Sequence, residues 1–235
     1  MRFQTDLLPG RLLRRYKRFL ADVVLDRDGQ EVTVHCPNPG AMLGLAELGM
    51  RVWVEPNDDP RKKLKYGWRL VELEGGHWAG IDTGVPNRVV KEALAARLIP
   101  ELAGYADMRA EVPYAEKSRV DFLLTGPDGG LTYVEVKNVH LRRTGTLAEF
   151  PDCVTARGAR HLADLAEMGG QGHRAVMLYL IQRTDCSELA FARDIDPVYG
   201  QAFDEARAQG VEAIAYDTRI DTGGVTFGAS MGIRT

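Results

Sequence analysis

Alternating and continuous apolar stretches, separated by turn residues, divide the first 81 residues into short segments. Strands are predicted over residues 19–25, 31–36, 51–55, 68–73 and 77–81, which are rich in branched and aromatic side chains. Asp28-Gly29 and Gly75-Gly76 are typical of hairpin turns. Five short strands favour a small closed barrel, because closure leaves no exposed sheet edge. We predict an OB-like β-barrel over residues 1–84.

The pattern changes after Pro86-Asn87, where helices begin to alternate with strands. Three helices are predicted, over residues 88–98, over the segment that a cap at Asp152 begins and residue 168 ends, and over 197–209. Strands are predicted over 105–112, 119–124, 131–139, 174–181 and 211–216. Asn87 and Asp152 are residue types that cap helix N-termini. Segment 174–181 (RAVMLYLI) is almost wholly apolar, which indicates a central strand covered on both faces. Residues 85–235 therefore predict a mixed sheet flanked by helices, and the whole chain an α+β fold.

The strongest candidate chemistry lies on two of these strands, joined by a hairpin turn. Alternation places Glu135 and Lys137 on one face of their strand, and Asp121 lies on the strand before it. Charges embedded among core residues cost several kcal/mol unless they are paired or bind a metal. Two carboxylates suit Mg²⁺ or Mn²⁺, and a nearby lysine is able to activate water. The alternative is an exposed edge hairpin with solvated charges.

Further polar residues could complete this site. Glu92, at the edge of the apolar stripe of the first helix, is the candidate third carboxylate; the alternative is an ordinary surface glutamate. Arg157 and His161 are four residues apart and share a helix face. Their spacing is equally compatible with phosphate contact and with solvation.

Two cationic clusters lie within the predicted barrel. The candidate nucleic-acid contacts are Arg11, Arg14, Arg15, Lys17 and Arg18 in the first cluster and Arg61, Lys62, Lys63, Lys65 and Tyr66 in the second. Cations contact phosphates, and aromatic rings offer stacking surfaces to bases. The alternative is two solvated loops. The chain as a whole has a net charge of −3, so a local rather than a global basic surface is implied.

Composition restricts the class of protein further. Hydrophobic residues make up 45% of the 235 residues, enough for a buried core. Three scattered cysteines without a CxxC pair argue against a zinc knuckle or a disulfide framework. No apolar run is long enough for a membrane span, and the N-terminal segment carries charges where a signal peptide needs an apolar block. We expect a cytoplasmic protein that does not bind membranes, and leave its oligomeric state open.

At these residues the chain resembles the sugar fermentation stimulation protein A family. The matching stretches are 10–19 (GRLLRRYKRF), 35–42 (HCPNPGAM), 86–88 (PNR), 116–124 (EKSRVDFLL), 133–139 (YVEVKNV) and 150–152 (FPD). The resemblance implies an N-terminal OB-like domain and a C-terminal PD-(D/E)xK nuclease-like domain, with DNA as the partner. It matches Asp121, Glu135 and Lys137 to the nuclease motif and Glu92 to a helix acid. The chain departs from the generic motif at Val120, where proline is frequent.

Two main functional hypotheses follow. The first is a DNA-binding protein with a nuclease site that uses Mg²⁺ or Mn²⁺, with Asp121, Glu135 and Lys137 as the catalytic residues; single-stranded and branched DNA are among the candidate substrates. The second is a DNA-binding regulator of sugar, particularly maltose, metabolism that keeps the nuclease-like fold without catalysis. A sugar-processing enzyme is a weaker third, because Lys137 has no role in a pair of glycosidase carboxylates. The turn at residues 35–42 is interpreted as structural.

Overall fold

Two β-sheets divide the chain between them. The computed structural model describes residues 1–115 and 118–234. The stretch 116–124 of the sequence resemblance therefore begins with two residues, Glu116 and Lys117, that lie outside the described residues. Within the described residues, no helix combines the length and the hydropathy needed to span a bilayer.

The first sheet is an OB-like barrel, as predicted. Its strands are β1 (Leu8–Tyr16), β2 (Leu20–Leu25), β3 (Glu31–His35), β4 (Arg51–Pro56), β5 (Tyr66–Leu73) and β6 (His77–Gly80). They follow the order β3-β2-β1-β4-β5-β6, and a pairing between His35 and Gly67 closes β3 onto β5. Leu12, Val34 and Trp68 are among the completely buried interior side chains. Closure pairs the strand edges that an open sheet would expose.

Strand β1 was not predicted, because its sequence is dominated by cations. The structure places Arg11 and Arg14 outside, while Gly10 and Leu12 face the barrel interior. A register shift between Leu12 and Arg14 interrupts the regular alternation in the pairing with β2. The first cationic cluster is therefore a barrel strand and its hairpin tip rather than a loop.

The second sheet, in the C-terminal unit, has nine strands. Its strands are β7 (Asp107–Ala115), β8 (Ser118–Thr125), β9 (Leu131–Val139), β10 (Leu141–Arg142), β11 (Leu147–Phe150), β12 (Arg174–Ile181), β13 (Glu188–Phe191), β14 (Glu212–Asp221) and β15 (Gly224–Arg234). Their order is β10-β11-β13-β15-β14-β12-β9-β8-β7. Strands β9, β12 and β14 run parallel at the centre, and β7 and β8 join antiparallel at one edge. The mixed sheet was predicted; strands β10, β11, β13 and β15 were not.

Three helices cover the two faces of this sheet. They are α1 (Val85–Ala95), α2 (Ala156–Gly170) and α3 (Pro197–Ala208). The apolar side of α1 packs with Val134 and Val136 of β9 on one face. The other face packs against α2 and α3, whose Leu165 and Phe203 meet Tyr179 of β12. Strand β12 is buried along nearly its whole length, as its apolar sequence predicted.

Both predicted helix caps are wrong. Helix α1 begins at Val85, so Asn87 lies inside its first turn. Helix α2 begins at Ala156, where the Thr155 hydroxyl accepts a hydrogen bond from the Gly158 N–H. Asp152 lies upstream of that helix and instead accepts from the Met42 backbone N–H, 3.0 Å away. Asn87 and Asp152 are thereby free for tertiary contacts.

The barrel and the nine-stranded sheet contact each other closely. The Gly80 N–H donates to the Gln182 carbonyl at 2.9 Å, and the Gln182 side chain donates to the Asp82 carbonyl at 3.1 Å. The predicted division after residue 84 falls between β6 and α1. The first residues cross that division, since Arg2 pairs with Gly224 of β15.

Candidate active site

Strands β8 and β9 separate at the point where Asp121 lies. Their ladder extends from Thr125 and Leu131 to Phe122 and Val134, and the earlier residues of β8 are not paired with β9. In the gap, Oδ2 of Asp121 accepts a hydrogen bond from the Val136 N–H at 2.7 Å. The other oxygen, Oδ1, accepts from the Asn87 side-chain amide of α1, also at 2.7 Å. The carboxylate therefore continues the ladder that the backbone leaves unfinished.

Glu135 and Lys137 project together toward helix α2, as strand alternation predicts. The Lys137 Nζ atom donates to Oε1 of Glu135 at 2.8 Å. His161 of α2 also hydrogen bonds to this oxygen through its Nδ1 atom. The Glu135 side chain is 3% exposed, and its other oxygen, Oε2, has no hydrogen-bond partner among the described residues.

His161 links the buried glutamate to the protein surface. The Arg157 Nε–H donates to Nε2 of His161 at 3.1 Å, so this ring nitrogen is the acceptor. The Nδ1 atom then holds the ring proton and donates it to Glu135. Arg157 itself is exposed, and the two outer nitrogens of its guanidinium face no acceptor within residues 1–115 and 118–234. The sequence left phosphate contact and solvation open for Arg157 and His161. Solvation is wrong for His161, because its side chain is buried.

The two carboxylates have different electrostatic environments. Burial, and then the negative charge of Glu135, raise the pKa of Asp121 to about 6, against the lowering effect of the Val136 N–H. Burial also acts to raise the pKa of Glu135, but the hydrogen bond from His161 and the charge of Lys137 outweigh it and lower that pKa. Glu135 is thus held as an anion next to a carboxyl group that resists ionisation.

These features fit a divalent cation. Asp121 and Glu135 supply hard oxygen donors, and Oε2 of Glu135 is a buried acceptor in need of a positive partner. The hydroxyl of Tyr114 is also buried without a partner among the described residues. Burial, followed by the charge of Glu135 and of two aspartates that include Asp121, raises the pKa of this hydroxyl. Unsatisfied polar atoms and mutually repelling acids thus meet at one place.

The structure does not bring Glu92 to this pair. Its side chain is 62% exposed, and its Oε2 atom pairs with the N-terminal amine of Met1. Glu92 follows Asn87 by five residues, which places it about 140° around α1 from the side chain that contacts Asp121. In the described part of the chain, no group of three His, Cys, Asp or Glu residues is arranged to hold a metal ion. The candidate centre therefore has two protein carboxylates, and water and substrate would provide further ligands, as is common for Mg²⁺.

The cations of the first cluster have different roles. Arg15 is structural: its Nη2 atom donates to the carbonyls of Arg18, Asn38 and Gly40 at 2.7–3.0 Å, which fixes the turn at residues 35–42. Arg14 pairs with Asp22 at 2.8 Å, and Arg11 donates to the Gly49 carbonyl at 3.2 Å. Lys17 and Arg18 form the exposed hairpin tip and make no ion pair with any described residue. The tip, rather than the whole cluster, is available to a phosphate.

The second cluster lies in the loop between β4 and β5 and ends at Tyr66, the first residue of β5. Arg61 pairs with Asp59 at 2.8 Å, and Lys65 donates to the Asp59 carbonyl at 3.2 Å. Lys62, Lys63 and Tyr66 line a groove of about 740 Å³ on the barrel. Acidic residues line the same groove, including Asp59, so it is mixed in charge.

Sequence reasoning missed three contributors to the site. Asn87 was assigned to a cap, and only the earlier start of α1 turns it toward Asp121. Tyr114 gave no signal, because a tyrosine within a strand is an ordinary core residue. Ser118 donates to Asp164 of α2 and so ties the start of β8 to that helix; no spacing along the chain indicates this contact.

Comparison with known proteins places this architecture in a family. The family model described as the sugar fermentation stimulation protein RE domain matches residues 84–224, and the model described as the SfsA N-terminal OB domain matches residues 13–81. A sugar fermentation stimulation protein homolog from Dinoroseobacter shibae is 67% identical over 98% of this chain and 95% of its own length. A homolog of the same name from Ruegeria pomeroyi is 62% identical over 96% and 97%.

A solved structure agrees with these matches. The structure of Pyrococcus furiosus SfsA in complex with Ca²⁺ superimposes with a TM-score of 0.89 at 26% identity, covering 100% of this chain and 98% of that one. The two matches together include most strands of both sheets. The chain therefore belongs to the sugar fermentation stimulation protein family.

Proposed function

We propose that this chain is a divalent-metal-dependent nuclease that hydrolyses phosphodiester bonds in DNA. The observation that carries the proposal is the arrangement where β8 and β9 separate. Asp121 lies beside Glu135, which is buried with one oxygen unpartnered by any described residue, and Lys137 is hydrogen-bonded to its other oxygen. The cost of burying these charges argues for a ligand that compensates them.

Asp121 and Glu135 would hold Mg²⁺ or Mn²⁺. Such an ion, when bound, stabilises negative charge on the phosphate and lowers the pKa of a bound water. The relative from Pyrococcus furiosus was solved with Ca²⁺, another cation that takes oxygen ligands, which supports the assignment. Hydrolysis also needs groups that orient water and phosphate, and the chain provides candidates for both roles.

Lys137 and Arg157 are those candidates. The Lys137 ammonium lies between Glu135 and His161, where it would orient the attacking water and stabilise the negative charge that the water oxygen develops as its proton passes to solvent. Arg157 presents its outer nitrogens to solvent while its Nε atom is fixed by His161, so it is prepared to bind a phosphate oxygen. His161 is a positioning residue that aligns Glu135 and Arg157. Lys17 and Arg18, with Lys62 and Lys63, would hold the DNA backbone farther away.

A cleavage assay with matched variants tests the proposal. Wild-type protein should cut labelled duplex, single-stranded or branched DNA with Mg²⁺ or Mn²⁺ and not with EDTA. Lys137→Ala and Asp121→Asn should lower the cleavage rate by about 100-fold or more, with little change in the Kd for DNA. Glu92→Gln is the matched control and should cut at the wild-type rate, because this carboxylate lies outside the site.

The same assay separates the two functional hypotheses. Absence of metal-dependent cleavage by wild-type protein on every DNA form would refute the nuclease. If DNA binding were nevertheless retained, the result would favour the second hypothesis, a regulator that uses the nuclease-like fold to bind DNA near genes of sugar metabolism.

A further inference from the structure

A second cavity, separate from the groove on the barrel, lies where the barrel meets the nine-stranded sheet. Its volume is about 360 Å³. Arg18, Asn38 and Gly40 line it from the barrel, and Asn138, Phe150 and Cys153 are among the lining residues from the other unit. The volume lies within the range of about 300–1,000 Å³ that is usual for small-molecule sites.

The chain segments that build this cavity also build the active site. Asn138 follows Lys137 directly on β9, so the two side chains project to opposite sides of one strand. Thr155, another lining residue, precedes Arg157 by two positions at the start of α2. Thr83, also in the lining, precedes Asn87 by four positions. The cavity is therefore lined in part by residues that lie within four positions, along the chain, of residues of the active site.

The chemistry of the lining suits a nucleotide. Phe150, Pro39 and Pro151 provide apolar walls, and Asn138 and Thr83 provide polar groups between them. Part of the lining is polar and internally hydrogen-bonded: the Asn138 side chain donates to His140 at 2.8 Å, and His140 lies 3.2 Å from Asp152. Apolar walls with a few fixed polar groups are the usual surroundings of a bound base.

The entrance adds features that bind a nucleic-acid strand. Arg18 lines the cavity and makes no ion pair with any residue the structure describes. The next residue, Phe19, is 47% exposed at the hairpin tip, which is unusual for a large aromatic side chain and leaves its ring free to stack. Val154, which follows the lining residue Cys153, is 71% exposed.

We propose that this cavity, between the β1–β2 hairpin tip and the end of β9, receives an unpaired nucleotide of the DNA substrate. The inference rests on the proposed nuclease function and names its substrate class: DNA with a single-stranded segment beside the bond to be cut. Bases of an intact duplex are stacked and cannot enter such a cavity, whereas an unpaired base enters at small cost.

Cys153 provides a direct probe of the cavity. It is partly exposed, whereas Cys36 is completely buried, so Cys186→Ser leaves Cys153 as the one accessible thiol. The experiment measures alkylation of Cys153 by N-ethylmaleimide in the full-length Lys137→Ala/Cys186→Ser protein. It compares free protein with protein saturated by a blunt duplex or by the same duplex carrying a single-stranded tail, with binding confirmed by fluorescence anisotropy.

The tailed duplex should slow alkylation at least tenfold, and the blunt duplex less than twofold. A tailed duplex that binds without protecting Cys153 would overturn the inference and leave the nuclease proposal intact, as would equal protection by both DNAs. Failure to bind either DNA would refute the proposed function itself, and the inference with it.

A substitution that fills the cavity gives an independent measurement. Cys153→Trp should weaken binding of the tailed duplex about tenfold and leave the affinity for the blunt duplex unchanged, with Tm used to confirm folding. Equal affinities of wild-type protein and this variant for the tailed duplex would count against the inference.

Discussion

Replacing Asp121 by asparagine should stabilise the protein in the absence of metal. The ionised carboxylate of Asp121 lies in a partly buried position beside the negative charge of Glu135, which raises its pKa to about 6. Asparagine has the same shape and no charge. Its amide oxygen would accept the Val136 N–H, and its NH₂ group would donate to Asn87 once the Asn87 amide turns over.

The expected magnitude follows from the pKa. A rise from 3.8 to about 6 is about two units, equivalent to about 3 kcal/mol between the protonated and ionised forms. Solvent that reaches the side chain reduces this to a gain of about 1–2 kcal/mol at pH 8. At about 2–4 °C per kcal/mol for a chain of this size, Tm should rise by about 2–8 °C.

The pH dependence provides the internal control. The folded chain binds the Asp121 proton more tightly than the unfolded chain, so the stability that this group contributes is complete below about pH 4 and is lost as the pH rises through about 6. The asparagine variant has no such group. Its Tm should therefore match that of wild type near pH 4 and exceed it above pH 7.

Differential scanning calorimetry in EDTA at pH 4, 6 and 8 measures both quantities. Addition of Mn²⁺ at pH 8 should then raise the Tm of wild type and have little effect on the variant, because binding to the folded state alone stabilises it. A variant less stable than wild type at pH 8, or a Tm difference that is the same at all three pH values, would refute the reasoning.

Two further predictions concern groups outside the metal centre. Asp152→Asn should destabilise the protein by about 2 kcal/mol at pH 7: burial raises the pKa of Asp152, but His140 and the Met42 N–H outweigh it and hold the pKa at about 2. This contribution is present above about pH 4 and fades as the pH falls toward 2, so the Tm difference between variant and wild type should shrink over that range. Arg15→Ala should lower the free energy of unfolding by about 2–4 kcal/mol in urea denaturation, since three carbonyls lose a charged donor. Lys17→Ala, its matched control, should leave stability unchanged and reduce the salt dependence of DNA binding by about one counterion; a destabilised Lys17→Ala variant would contradict the division of roles within the cluster.

The sequence predicted the elements that follow one clear periodicity. Segment 174–181 is a central strand with the predicted bounds, because an unbroken apolar run has no exposed face to complicate it. Strand β1 was not predicted because cationic side chains dominate its sequence. Gly10 and Leu12 are its buried residues, and two such positions are too few to give a recognisable alternation. The short strand β10 pairs only with β11, and β11 joins the sheet through a parallel pairing with the distant strand β13, which no local pattern encodes.

The candidate site was likewise predictable only where a local periodicity determines the position of a side chain. Strand alternation was sufficient to place Glu135 and Lys137 on one face. The alignment of Asp121 depends on where the ladder between β8 and β9 ends, and the contacts of Asn87 and Glu92 depend on the rotation of α1. Helix rotation is determined by packing over the whole face, so an error of three residues in the helix start was enough to exchange these two side chains.

The location of the unsatisfied groups gives a physical reason to look for a ligand at this site. Four buried side-chain polar atoms lack a partner among the described residues, and two of them, Tyr114 Oη and Glu135 Oε2, lie beside Asp121. Most buried acids elsewhere in the described residues have charged partners; Asp185, for example, accepts from Arg183 with both oxygens. The repulsion between Asp121 and Glu135 costs stability. A substitution such as Asp121→Asn would relieve this repulsion, yet the chain keeps both acids. A bound cation removes the same repulsion without changing a residue, because it lowers the energy of both ionised carboxylates at once.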